Sequence, residues 1–304
     1  LEFYLYDEIE IKNLNFETQK FINVLSINDI EKHELFFDEL YNLCKKTNIP
    51  MEGISSENAP NQYEVNLKHI DDPLKAADQA VFFKRFIKGI AQKHKKRATF
   101  MAKPFPNFSG SGMHVHFSLL DKGKNNVFNN NTELGSNMLK YAVGGILDCL
   151  KESTLILAPH FNSYKRLRPG SHAPINICWG YENRTAAIRI PGGEFHSKRI
   201  EHRVAGADAN PYLVLSSILS SALYGILEKK EPPKPITGDT YEKNLMQIPQ
   251  SWDQAINDFE NSKKNKNFYF DTFCNVFRSC KKQELEGFNS RIENYEFKTY
   301  MKEI

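Results

Sequence analysis

Two short stretches of the chain carry ionisable side chains two residues apart, the repeat that puts them on one face of a strand. In "RIEHRV", Arg199, Glu201 and Arg203 project one way and Ile200, His202 and Val204 the other. Two guanidiniums flanking a carboxylate suit phosphate or carboxylate anions beside a metal ion. On a lone strand the same residues read equally well as a solvated outer face. "GMHVHF" repeats the spacing with His114 and His116, and two imidazoles on one face argue for a site better than one does. Glu57 and Glu64 flank a turn at Asn58–Asn61. If that turn joins a hairpin, they become diagonal neighbours roughly 7–8 Å apart. The strands around them are apolar enough to be core, so carboxylates pointing inward there need a cation. Carboxylate-rich ligation with at most one imidazole favours Mg²⁺ or Mn²⁺ over zinc.

Arginines gather in one segment: Arg166, Arg168, Arg184, Arg189, Arg199 and Arg203. Arg184 and Arg189 are an odd number of residues apart, so one regular strand cannot point both to the same face, and one belongs at its loop end. The stretch "YKRLRPGSHAP" (Tyr164–Pro174) adds three cations, two prolines, a glycine and His172. Alone it reads as a phosphate-gripping loop, a flap over an active site, or a basic surface turn. Carboxylates, imidazoles and arginines together resemble a phosphoryl-transfer site, in which metals neutralise phosphate oxygens and arginines hold the developing charge.

The elements that must position these residues are short strands and longer helices. "EFYLY" (Glu2–Tyr6) reads as a strand, and "MEGISSENAPNQYEVNL" as two strands around the Asn58–Asn61 turn. "ATFMAK", "GMHVHFSL", "APINICW", "TAAIRIP" and "KRIEHRV" are strand-like. Apolar residues at helical spacing (Leu35, Phe36, Leu40, Leu43) predict one helix from Asp29 to Lys46. A second runs from about Asp72 to Lys95 with Pro73 in its first turn, and a third starts at Pro211, capped by Asn210. Strands paired through hairpins with helices in separate blocks predict an α+β fold with a largely antiparallel sheet. The chain has 304 residues, 40% hydrophobic, with a net charge of +3, too small to argue for nucleic acid. Five cysteines without a CxxC pair fit reduced thiols. The longest apolar stretch, Pro211–Leu227, is interrupted by serines and reads as a buried helix, shorter than the ~20 residues of a membrane span. "LEFYLYDEIE" has no signal-peptide pattern. The expectation is a soluble, cytoplasmic protein without nucleic-acid or membrane partners. Neither a dinucleotide fingerprint nor a Walker loop is present.

The segments "SENAPNQYEV", "GSGMHVHFSL", "NSYKRLRPG", "NRTAAIRIP" and "RIEHRVAGADANPYL", in order and spacing, resemble the signature segments of the glutamine synthetase family. The likeness extends through "IPQSWDQAI" and "YEFKTYM" and looks most like the γ-glutamylpolyamine synthetase branch. The resemblance implies one catalytic domain over residues 1–304, with a curved, largely antiparallel sheet flanked by helices. It implies an ATP-dependent ligase: glutamate's γ-carboxylate attacks the ATP γ-phosphate, and an amine displaces phosphate from γ-glutamyl phosphate. By family pattern Glu2, Glu57 and Glu64 hold one divalent ion, and His114 and Glu201 a second. Arg166 and Arg203 bind glutamate with the Gly110 backbone. Arg184 and Arg189 stabilise the transferring phosphoryl group, and Glu52, His116, Ser118 and Arg199 contact the nucleotide. Ring-like homo-oligomers are implied as well.

The sequence departs from the family pattern in three places. Only the second glutamate of the family's first-strand Glu-x-Glu pair, Glu2, is present, and the preceding β-grasp domain is missing, which predicts a truncated chain. Ser109 stands where ammonia-using members have asparagine, and His172 where they have a flap glutamate. The lost carboxylate points to a polyamine or monoamine acceptor, with an ammonia-using glutamine synthetase as the alternative, and makes His172 the candidate selectivity residue unless it merely packs on the loop. A non-catalytic structural relative is the competing class. It predicts decayed metal ligands, whereas Glu57, Glu64, His114 and Glu201 all stand.

Overall fold

The computed structural model describes residues 1–7, 24–292 and 294–301. The strand Glu2–Asp7 (β1) has Phe3, Tyr4 and Leu5 buried in succession, the mark of a strand covered on both faces. One face feeds a cluster with Phe36, Phe37, Leu40, Phe83 and Ile87. The other puts Tyr4 against Ala59, Phe105 and Phe108. Met51–Ser56 (β2) and Gln62–Leu67 (β3) form the expected hairpin, and Lys96–Thr99 (β4) completes an antiparallel sheet in the order β2-β3-β1-β4. Its helices are Ile27–Glu31 (α1), Glu34–Lys46 (α2) and Pro73–Lys93 (α3), the last capped by Asp72 with Pro73 at its start as predicted. The single helix predicted over Asp29–Lys46 is two: the chain breaks at Lys32–His33, where the buried His33 ring packs edge-on against Tyr63. Packing there outweighs a continuous helical pattern.

A second sheet has the order β5-β8-β7-β6, from Val115–Phe117 (β5), Trp179–Tyr181 (β6), Ile188–Ile190 (β7) and Ile200–His202 (β8). The β6–β7 pair is parallel and the others antiparallel. The strand-like stretches are mostly shorter than predicted: of "APINICW" only Trp179 lies in a strand. The two sheets join at a seam, where the Glu2 N–H donates to the Gly112 carbonyl at 3.1 Å and Gly112 bridges Gly206.

The larger core forms around Asn137–Leu157 (α4), a helix that the strand and loop signals pass over. Its partner is Pro211–Leu227 (α6), which follows the short turn Ser163–Arg166 (α5) and is capped by Asn210 as expected. Within α6, Ser217 and Ser221 are buried, whereas Leu223 and Leu227 are exposed. The serines are there because α4 and α6 cross backbone to backbone. A Cβ on Gly145 would lie 2.3 Å from the Ser221 carbonyl, and one on Gly225 2.1 Å from the Tyr141 carbonyl. Gly145→Ala is therefore expected to cost about 3 kcal/mol by overpacking. Gly89→Ala, on a helix with open space, stabilises by up to about 1 kcal/mol through helix propensity. Equal melting temperatures for the two variants would refute the close crossing. No described helix is long and apolar enough to cross a membrane.

Candidate active site at the seam of the sheets

Register puts Arg189, Glu201 and His116 in one row across β7, β8 and β5. Oε1 of Glu201 accepts from Nη1 of Arg203 at 2.5 Å, and Oε2 from Nη1 of Arg189 at 2.9 Å. The imidazoles of His114 and His116 lie 3.7 and 3.9 Å from Oε1. Burial of the Glu201 carboxyl works against its charge, but Arg203, His116 and Arg189 outweigh it and hold the group below the usual carboxylate range. Ile200, His202 and Val204 lie on the core face, all buried. Burial pushes His202 down to about 3, so it is a neutral core residue. The face assignment read from "RIEHRV" holds.

Across the seam, ligand atoms of Glu2, Glu64 and His114 all lie within 4.8 Å of one another. Glu2 pairs directly with Glu64, and Ser55 faces Glu64, so Glu57 is the diagonal neighbour expected from the turn. Burial and the charges of Glu2 and Glu64 push Glu57 up to about 8. Burial and Glu64 also raise Glu2, against the pull of Arg166 and of the Gly112 N–H, which donates to Oε2 at 2.7 Å. Burial and the charges of Arg203 and Arg166 keep His114 neutral, with a lone pair to offer. Three carboxylates crowded together beside a neutral imidazole fit a hard divalent cation such as Mg²⁺ or Mn²⁺. The family pattern puts Glu2, Glu57 and Glu64 on one ion and His114 and Glu201 on another. Among the described residues Glu2, Glu64 and His114 form a triad, with Glu57 reached through Glu64 and Glu201 through His114.

Arg166, the last residue of α5, is 4% exposed. It donates through Nη1 to the Val204 carbonyl at 2.8 Å and through Nη2 to that of Arg203 at 3.3 Å. Its side chain runs where glycines leave room: a Cβ on Gly110 or Gly112 would come within 2.6 Å of it. The loop carrying those glycines is held from β1 and the β2–β3 hairpin. Tyr4 donates to the Ser109 carbonyl at 2.6 Å, Asn58 to the Ser109 hydroxyl at 3.0 Å, and Gln62 to the Gly110 carbonyl at 3.0 Å. Sequence reading missed these three supports. Tyr4 could have been found, because it shares a strand face with Glu2.

The remaining candidates are spread more widely. Arg184 is exposed in the turn before β7 and Arg189 sits in its middle, as their odd spacing required. Arg203 also donates from Nε to the Arg184 carbonyl at 3.0 Å. Arg199 donates to Nδ1 of His116 at 3.2 Å, and Ser118 is exposed one residue past β5. Glu52 is exposed in the bulge at the far end of β2, about 16 Å along the strand from Glu57 at ~3.3 Å per residue. His172 is exposed with a left-handed backbone, φ 59°, and Gly170 before it has φ 72°. Ser171 donates to the Arg166 carbonyl at 2.8 Å and Tyr241 to that of Ala173 at 2.6 Å, so both feet of this loop are fixed. Arg168 is exposed. Sequence reading also missed Glu182, whose Oε2 accepts from Nη2 of Arg189 at 2.6 Å.

The profile described as "Glutamine synthetase, catalytic domain" matches residues 1–300. The chain is 36% identical to gamma-glutamylputrescine synthetase PuuA of Escherichia coli over 92% of its own length and 59% of the relative's. It is 38% identical to the glutamate–isopropylamine ligase of a Pseudomonas species (86% and 58%) and 36% identical to the glutamine synthetase of Thermotoga maritima (84% and 60%). The chain thus spans about three-fifths of the length of these curated relatives. Among solved structures, a GmaS/ADP complex superposes with a TM-score of 0.89 at 28% identity, over 99% of this chain and 71% of that one.

Proposed function

Because the chain belongs to the glutamine synthetase family, we propose that it is the catalytic part of an ATP-dependent ligase that joins glutamate to an amine. The observation that carries this reading is the Glu201 carboxylate, shared by Arg189 and Arg203 and set beside the Glu2, Glu64 and His114 triad. That arrangement puts anion-binding guanidiniums next to a cation site, as phosphoryl transfer requires.

Two divalent ions held by Glu2, Glu57, Glu64, His114 and Glu201 would neutralise the phosphate oxygens of ATP. Arg166 and Arg203 hold glutamate, aided by the Gly110 backbone, so that its γ-carboxylate oxygen meets the γ-phosphorus. Arg184 and Arg189 take the charge that develops on the transferring group. Glu52, His116, Ser118 and Arg199 line the nucleotide's path. With ADP released from the phosphorus, the acceptor nitrogen attacks the acyl carbon of γ-glutamyl phosphate, phosphate leaves, and the amine gives up a proton. Assembly into a ring-like homo-oligomer and a cytoplasmic location belong to the same reading.

The acceptor is a polyamine or monoamine larger than ammonium. An imidazole at position 172 offers no fixed negative charge to draw ammonium in, and two of the similar proteins carry γ-glutamylputrescine and isopropylamine in their names. The test is ATP- and glutamate-dependent phosphate release by full-length protein with ammonium, putrescine, spermidine and alkylamines. An organic amine is expected to exceed ammonium in kcat/KM by about tenfold or more, a 1.4 kcal/mol preference. His172→Glu should move that ratio toward ammonium. Preference for ammonium in the parent protein would overturn the acceptor assignment. Loss of Mg²⁺-dependent ATP binding altogether would instead favour a non-catalytic relative.

A further inference from the structure

Arg189 is held at both ends of its guanidinium by carboxylates of opposite character. Nη1 meets the buried Glu201, whose side chain is 3% exposed, and Nη2 meets Glu182, 55% exposed. Glu182 stands just past β6 with φ 52°, a left-handed conformation that costs a non-glycine residue on the order of 1 kcal/mol or more. Its backbone N–H is anchored on the Ile190 carbonyl at 3.1 Å. Its second oxygen, Oε1, accepts from the Gly192 N–H. A Cβ on Gly192 would sit 3.0 Å from that oxygen, so the turn after β7 is shaped to let the carboxylate through. That turn leads by Lys198 to Arg199, which reaches His116. A solvent-exposed ion pair contributes little to stability and does not by itself account for a strained glutamate. Two carboxylates on one guanidinium hold it in one orientation. Of its five N–H groups, Glu201 and Glu182 take one each and Nε is buried without a partner. One N–H on each terminal nitrogen is left for an anion.

We propose that Glu182 is the positioning residue of Arg189: it orients the guanidinium toward the transferring phosphoryl group and locks the Pro191–Gly193 turn beside it. The assignment rests on the ligase reading, which gives Arg189 its role. Glu182 would act only when charge develops on the phosphoryl group. Its loss therefore lowers kcat and leaves ground-state binding in place.

The experiment uses full-length protein with Glu182→Ala and Glu182→Gln. Misplacing one catalytic group by about 1 Å costs on the order of 100-fold, so Glu182→Ala is expected to lose 30- to 100-fold in kcat. KM for glutamate and calorimetric ATP affinity should stay within about twofold. Glutamine can still accept from Arg189 but cannot serve both donors with oxygen, so Glu182→Gln should recover part of the loss. Unchanged kcat in Glu182→Ala overturns the proposal, as does a loss confined to KM. A crystal structure of Glu182→Ala decides the point without any activity: Arg189 and the 191–193 turn should shift. Their staying in place overturns the positioning role. An inactive parent protein would count against the ligase reading, and the crystallographic comparison would still decide for or against Glu182.

Discussion

Glu201→Gln is expected to lower turnover on the order of 1,000-fold and to destabilise the fold by about 3 kcal/mol. The carboxylate is the single anion on which Arg189 and Arg203 converge, in a side chain only 3% exposed. Glutamine matches its shape but leaves two guanidiniums against a neutral amide, and breaking a buried pair costs roughly 3–5 kcal/mol. The larger part falls on activity. Removing one preorganised group from a charge-stabilising site costs about 100- to 1,000-fold, and here two arginines and a proposed ion ligand are affected at once. Steady-state turnover and urea denaturation on the same preparation separate the two effects. Near-parental turnover in a folded variant would remove Glu201 from the centre of the site.

Of the two substrates, Arg166→Lys should affect glutamate and not ATP, beside a cost to the fold. The guanidinium spans the carbonyls of Arg203 and Val204, adjacent residues at the end of β8, in a slot that Gly110 and Gly112 leave open. Lysine keeps the charge but cannot fork between two acceptors, and each carbonyl left unpaired in the interior costs about 1–3 kcal/mol. KM for glutamate is expected to rise about 100-fold, corresponding to about 2.7 kcal/mol. The affinity for ATP should stay near the parental value. A glutamate KM within twofold of the parent, or a defect in ATP binding instead, would contradict the assignment.

Much of this site is legible in sequence because strands encode facing in a two-residue repeat. That repeat separates Arg199, Glu201 and Arg203 from the buried Ile200, His202 and Val204, and it pairs His114 with His116. The Asn58–Asn61 turn fixes register, so Glu57 and Glu64 fall into contact. Caps such as Asp72 and Asn210 are equally local and equally readable. What escaped depends on contacts between distant segments. The α4–α6 crossing needs Gly145 and Gly225 to meet, though they are far apart in sequence. The break at His33 comes from burial against Tyr63, which helical periodicity does not register. Glu182 reads as an ordinary exposed glutamate until β7 brings Arg189 to it. The seam that brings Glu2 and Glu64 from one sheet to His114 at the edge of the other is likewise a contact between distant segments.

The central claim is that glutamate's own γ-carboxylate attacks phosphorus. It is tested most directly with glutamate carrying oxygen-18 in that carboxylate, incubated with full-length protein, ATP, Mg²⁺ and the preferred amine. Passage through γ-glutamyl phosphate transfers one labelled oxygen to each phosphate released, which mass spectrometry of the phosphate reads out. Unlabelled phosphate released in step with amide formation would mean that no acyl phosphate forms, and would contradict phosphoryl transfer to glutamate at this site.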